Sequence, residues 1–355
     1  MNIVSCLKRG EGFDNRLAKT FFSIAILILT SSLLIFILIA MEQITIPIIY
    51  QDHHLLIVNK PAGLVIHPTY KHADGTMWDA ILEYLEKQGG DGWLPAEMPD
   101  KPEWSGAPKQ VQLMLRKKRL ERIWKEDGLL PKPCLLHRLD KDTSGVVALA
   151  RTERSRRHLV RQFHEHGIVK RYLAVVQRGT PDWTKPRASF RIIHKQGEMS
   201  AMQSGSLIDI ASGGENEFML DGALQRDPSD RRRCIVGPEG QNAQTMIKVM
   251  ATAGEFLLLE AKPITGRTHQ IRAHLAAFGY AIVGDTTYSL PTEKGKTNAA
   301  LKRQFLHACS LEFRRYPDDQ LCTFVAPLTH DLTAWLEGYF PVGLEVLHAS
   351  KRLSS

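Results

Sequence analysis

With 355 residues, 43% hydrophobic and 24% charged, the chain holds enough apolar material for a real core and is neither a disordered tail nor a fibrous repeat. A formal charge of +8 favours a polyanionic partner, nucleic acid or an anionic membrane surface, although charge alone selects neither. Five scattered cysteines with no C-x-x-C pair argue against a disulfide framework and a cysteine zinc site, and fit a reducing cytosol.

Residues 21–41, FFSIAILILTSSLLIFILIAM, carry no charge, and as a helix they would extend about 30 Å, the thickness of a bilayer core. Lys8, Arg9, Arg16 and Lys19 precede this run and the next basic residue is Lys60, so the positive-inside rule would send the body across the membrane. Three readings stand: an anchor with the body outside, an anchor with the orientation overridden, or a start codon placed too early, with Met41 the true start. The third is favoured. Residues 1–40 are then an extension to a cytoplasmic body over 41–335, with insertions at about 87–132 and 195–243 and a tail over 336–355.

In the body, ITIPIIY (44–50), LLIVNK (55–60) and GLVIHP (63–68) read as strands, the second stopped by Pro61-Ala62-Gly63. TMWDAILEYLEKQGG (76–90) reads as a helix with Trp78, Ile81, Leu82 and Leu85 on one stripe. In the first insertion, KQVQLMLRKKRLERIWK (109–125) has seven basic residues and one acid, with Leu113, Leu120 and Trp124 able to share a helical face. It is either a basic arm for a phosphate backbone or an amphipathic surface helix, and its pattern favours neither.

LLHRLDKDTSGVVALAR (135–151) follows, a polar turn leading into a strand, then a helix from Glu153 to His166 stopped by Gly167, and the strand IVKRYLAVVQ (168–177). Residues 195–243, with seven glycines and several acids, read as loops. AQTMIKVM and EFLLLEA are strands. KPITGRTHQIRAHLAAFGYAIVGD (262–285) reads as turn, helix, glycine stop and strand, with Ile271, Leu275 and Phe278 facing the core. QFLHACSLEF and CTFVAPL close the body. Strands outnumber helices and often follow one another directly, which predicts an α+β domain with a mixed sheet.

No Walker loop, G-x-G-x-x-G, H-E-x-x-H or G-x-S-x-G is present, so nucleotide-phosphate, zinc-protease and serine-hydrolase chemistry lack their usual frames. His269 and His274, five apart, point to different helix faces, and no metal site is expected. What remains is Asp140 near Arg138, Tyr172 between basic and apolar residues, and an arginine-rich turn and helix at 267–272. Singly, each has an ordinary reading: a turn aspartate, a strand tyrosine, a surface ion-pair arginine.

Together and in this order, HRLDKDTSG, KRYLAVV and TGRTHQIRAHL…GYAIVGD resemble the RluA-type pseudouridine synthases, and VNKPAGLVIHP, FLHACSLEF and APL extend the resemblance from about residue 46 to about 330. The resemblance implies a mixed, largely antiparallel sheet with flanking helices and a central RNA-binding cleft. It implies an isomerase that detaches uracil from its ribose in structured ribosomal or transfer RNA, turns it and rejoins it through carbon, with no cofactor. It maps the essential aspartate onto Asp140, the tyrosine onto Tyr172 and the aspartate's basic partner onto Arg272.

Those roles suit the residue types. A carboxylate can stabilise or capture the positive anomeric carbon, and a guanidinium keeps it ionised in a base-sized pocket. Tyr172 would stack on the everted base; Arg138 would fill the vacated space or grip phosphate; Arg267 and His269 would contact the RNA backbone. Two other readings are an RNA-binding or RNA-folding protein with dispensable catalysis, and a membrane-anchored protein acting outside the cytoplasm.

Overall fold

Two apolar faces on a single strand set the architecture. In the computed structural model, which describes residues 45–68, 74–88, 106–112, 114–115, 129–194, 197–200, 216–290 and 301–340, strand β2 (Leu55–Lys60) sends Leu56 and Val58 into one hydrophobic cluster and Leu55 and Ile57 into another. Burial on both sides explains why LLIVNK is a continuous apolar run instead of an alternating one. β1 (Ile48–Gln51) pairs with it through a turn in which the Asp52 carboxylate accepts the His54 and Leu55 N–H groups.

Helix α1 (Met77–Lys87) begins with a capping box between Thr76 and Asp79 and buries Met77, Ala80 and Ile81, with Trp78 and Leu85 at the margin. The run expected as a strand over 63–68 is not one. Gly63 turns the chain at φ 79°, and the carbonyls of Val65 and Ile66 accept the N–H groups of Met77 and Trp78. That backbone satisfies the start of a helix and is not free to join a sheet.

β3 (Leu129–Leu135), β4 (Ser144–Thr152), α2 (Glu153–His164) and β5 (Val169–Arg178) follow. β3 begins inside the expected first insertion, so ordered structure resumes there earlier than its composition suggests. β6 (Phe190–His194) comes next, and β7 (Gly197–Ser200), β8 (Glu217–Gly222), β9 (Leu224–Arg226) and β10 (Cys234–Val236) lie within what was expected as loop over 195–243. The correction has a local cause: β8 alternates, burying Phe218, Leu220 and Gly222 and turning Glu217, Met219 and Asp221 outward, and this period-2 pattern outweighs its acids and glycines.

β11 (Gln244–Ala253), β12 (Phe256–Pro263), α3 (Gln270–Ala277), β13 (Tyr280–Ile282), β14 (Leu306–Arg314), β15 (Leu321–Val325) and α4 (His330–Tyr339) complete the fold. In α3, Ile271 and Leu275 are buried as expected, while Phe278 is half-buried. The boundary expected between 335 and 336 falls inside α4, whose Leu336, with Phe340 just beyond, joins the larger core cluster.

The main sheet runs β1-β2-β4-β14-β5-β12-β11-β8-β6-β7, with β13 on β5, β15 on β14 and β3 on β4. Among the described residues its pairings are antiparallel except β4 with β14, where Ser144 faces His307 and Gly145 faces Ala308. This is the mixed, largely antiparallel α+β fold. One edge of β4 is shared: its end pairs with β3 at Leu149 and Ala150, its start with β14 at Ser144 and Gly145. Where these two partners diverge, the segment 136–143 leaves the sheet.

Segment 21–41, Met41, Leu113, Leu120, Trp124 and residues 341–355 lie outside the described residues. Among those described, no helix is long and apolar enough to cross a membrane.

Candidate active site

The segment that leaves the sheet carries Asp140, and its backbone is held from three sides. As the β3–β4 ladder ends, the His137 ring takes over from the strand: its Nε2 accepts the Ala148 N–H at 3.1 Å. Beyond it, Thr143 N–H closes a turn onto the Asp140 carbonyl. Lys60, fully buried at the end of β2, donates to the carbonyls of Pro61, Lys141 and Thr143 at 2.9, 2.7 and 2.9 Å. Burial pulls the Lys60 pKa down to about 7, against the opposing charges of Asp142 and Asp140. Arg303 donates to the Asp142 carbonyl and Gln304 to the Thr143 hydroxyl, both from the segment entering β14.

Gly145 fixes the far end of this turn. It adopts φ 121°, and a Cβ there would lie 2.2 Å from the Ala308 carbonyl oxygen, so only glycine lets β4 and β14 approach.

Arg272 enters from α3. Its Nη1 donates to Asp140 Oδ2 at 2.9 Å, while Nε and Nη2 donate to the two oxygens of Asp285 at 2.7 and 2.9 Å. Asp285 is fully buried and also accepts the N–H groups of Thr287 and Tyr288. The guanidinium is thus forked between a structural carboxylate and one facing the cleft, the geometry a planar five-donor group serves and an ammonium does not. Burial alone would lower the Arg272 pKa; the hydrogen bonds and charges of Asp285 and Asp140 prevail and raise it.

The neighbouring turn is built by Gln270, whose side-chain oxygen accepts from Arg267 N–H and the Thr265 hydroxyl and whose amide donates to the Gln244 carbonyl. His269, the residue before α3, has φ 53°, its Nε2 3.9 Å from Asp140 Oδ2 and its Nδ1 3.2 Å from the Tyr288 hydroxyl. Burial lowers its pKa, opposed by the Asp140 charge. Tyr172, on β5, is 9% exposed, and burial followed by the Asp140 charge raises its pKa, so the phenol stays protonated.

These groups line one cleft of about 460 Å³, within the size range of sites for small organic groups. All six residues singled out in the sequence border it: Asp140, Tyr172, Arg272, Arg138, Arg267 and His269. Arg138 is exposed, and Arg267 donates to the Asn242 carbonyl. Ile66, Leu136 and Phe163 add apolar wall, and Lys170 a further cation. His274 belongs elsewhere, buried between Thr245 and the Gly222 carbonyl. Among the described residues, no three His, Cys, Asp or Glu side chains are grouped to hold a metal.

The pattern of the family described as RNA pseudouridylate synthase matches residues 54–277. The chain belongs to that family. It is an isomerase that converts uridine in RNA to pseudouridine. The ribosomal large subunit pseudouridine synthase D of Xylella fastidiosa is 32% identical over 299 residues, covering 82% of this chain and 68% of its own. The protein of the same name from Xanthomonas campestris pv. campestris is 30% identical over 301 residues, covering 82% of this chain and 69% of its own.

For a synthase of this family, the sequence reading left out the supports. Lys60 and Asp285 both stood in the quoted motifs, VNKPAGLVIHP and GYAIVGD, but had no role. A lysine ending an apolar strand and an aspartate after a glycine are ordinary locally; their partners lie 81 and 13 residues away.

Proposed function

We propose that Asp140 is the residue that acts on the anomeric carbon of a uridine turned out of its stack, and that the RNA is ribosomal or transfer RNA. The observation that carries this is the Arg272 guanidinium divided between Asp140 and Asp285 in a cleft bordered by Tyr172. Breaking the bond between C1′ and N1 leaves positive character at C1′, which the carboxylate stabilises or captures. The freed uracil turns, C5 bonds to C1′, the hydrogen on C5 leaves as a proton, and N1 takes one up. Arg272 opposes the tendency of a nucleobase site to protonate Asp140. Tyr172 presents a ring on which the base stacks, while Arg138, Arg267 and His269 contact the RNA.

The relatives named for the large ribosomal subunit favour ribosomal RNA, and scattered free cysteines favour a cytoplasmic enzyme. Mapping pseudouridines across cellular RNA with and without the gene tests the reading. A site lost on deletion should return with the wild-type chain and stay absent with Asp140→Asn. Return of the site with Asp140→Asn would refute the assignment and leave RNA binding or folding as the function.

A further inference from the structure

The hydroxyl of Tyr288 is a junction with a single proton to give. It accepts the Cys234 N–H at 2.8 Å and donates to the Cys234 carbonyl at 3.0 Å. Its third neighbour is His269 Nδ1, 3.2 Å away. With the phenolic proton committed to a carbonyl, which can only accept, the hydroxyl has room for a donor alone on the histidine side. Nδ1 of His269 therefore carries hydrogen. Burial lowers the imidazole's pKa and so favours the neutral ring, in which Nε2 is a bare lone pair.

That lone pair lies 3.9 Å from Asp140 Oδ2, in the wall of the cleft. Two acceptors thus face the same space, and neither satisfies the other. Arg272 serves Asp140 from one side, and among the described residues no hydrogen bond reaches His269 Nε2. The site also holds His269 in a left-handed backbone conformation, φ 53°, although its side chain makes no cap for α3. Such strain in a non-glycine residue persists only where the surroundings impose it. Here they place a ring between Tyr288 and the cleft.

A ligand group that fits between two acceptors must bring a hydrogen-bond donor. A carboxylate oxygen in near-attack contact with C1′, about 3–3.5 Å away, has the 2′-hydroxyl as its neighbour, because that oxygen is carried by the next ring carbon. The N3–H of uracil lies on the far side of the base from the glycosidic bond. We propose that His269 Nε2 accepts a hydrogen bond from the 2′-hydroxyl of the target uridine, making His269 the residue that selects ribose over deoxyribose. The proposal rests on the reading of Asp140 given above. The 2′-hydroxyl is the group by which a protein distinguishes RNA from DNA at a single nucleotide.

The test uses the full chain and an RNA fragment spanning a uridine located by pseudouridine mapping, made with a 2′-hydroxyl or a 2′-fluoro group at that nucleotide alone. Fluorine donates no hydrogen bond and withdraws electrons at C2′ more strongly than hydroxyl, so the hydrogen bond is read from the difference between the fluorine penalties of wild type and variant. The wild type should lose at least about 10- to 100-fold in kcat/KM on the fluoro RNA. His269→Ala should show a loss on the order of 10- to 100-fold on the ordinary RNA and a fluorine penalty smaller than the wild type's by about that factor, the non-additivity expected of two groups in contact. His269→Asn, which offers an acceptor, should recover part of the loss.

A wild type indifferent to fluorine would overturn the proposal without any variant. So would the full fluorine penalty persisting in His269→Ala, or in His269→Asn if the alanine variant does not fold. Failure of the wild type to modify the ordinary RNA would instead refute the reading of Asp140 on which the proposal stands.

Discussion

The fork of Arg272 makes unequal demands on its two carboxylates. Asp285 is fully buried and takes two of the guanidinium's bonds, whereas Asp140 is 26% exposed on its side chain and takes one. Asp285→Asn should therefore act first on stability. It leaves a buried guanidinium short of charge, and losing one partner of such a pair costs about 3–5 kcal/mol. Urea unfolding at neutral pH checks this; an unchanged midpoint would mean that the pair contributes little. Arg272→Lys keeps a positive charge but cannot span both acceptors, and kcat should fall on the order of 100-fold, as when one preorganised donor is removed from an active site. Wild-type turnover in that variant would show that charge alone, and not the fork, sustains Asp140. At this scale the six residues singled out in the sequence all border the cleft, whereas the residues behind it were illegible. Asp140 and Arg272 sit in the motifs that carry the family resemblance, but Asp285 acquires meaning only when the chain brings it to 2.7 Å from Arg272.

Strands and turns place Asp140 through backbone contacts. β4 and β14 meet only because residue 145 has no side chain, and the same parallel contact ends the Asp140 turn. Gly145→Ala should fail to accumulate as soluble protein, because the clash is with backbone and no rotamer relieves it; a soluble variant with wild-type melting behaviour would contradict the close approach. Lys60→Met fills similar volume but strips donors from three carbonyls. Each unsatisfied buried group costs about 1–3 kcal/mol, and chemical denaturation should show a loss of at least that size together with slower turnover. A fully stable, fully active variant would mean that the turn is held without Lys60. The long apolar strands β2, β4, β5 and β12 were legible because burial on both faces writes itself as an unbroken run. β8 was not, since a short alternating strand with two acids and a glycine looks like loop until β11 supplies its partner. Residues 63–68 failed in the opposite sense: the apolar letters were read correctly, but their carbonyls serve α1.

Across the whole molecule, buried histidines tie stability to pH. Burial lowers the pKa values of His54, His274 and His307 from 6.5 to about 3, 4 and 4. The unfolded chain binds these protons near 6.5 and the folded chain does not, so their contribution is fully present above that pH and is lost as pH falls toward 4. Each can change stability by up to about 1.4 kcal/mol per pH unit in that window. Urea midpoints should drop clearly between pH 7 and pH 5; equal midpoints would show that these rings are charged in the fold. The central claim, however, is chemical: the Asp140 carboxylate, held by Arg272, starts the exchange of a carbon–nitrogen bond for a carbon–carbon bond at C5. Release of tritium from RNA labelled at C5 of uridine measures that step directly. The wild-type chain should release tritium until its target sites are exhausted, and Asp140→Asn should bind the same RNA and release none above background. Release by Asp140→Asn at the wild-type rate would contradict the account.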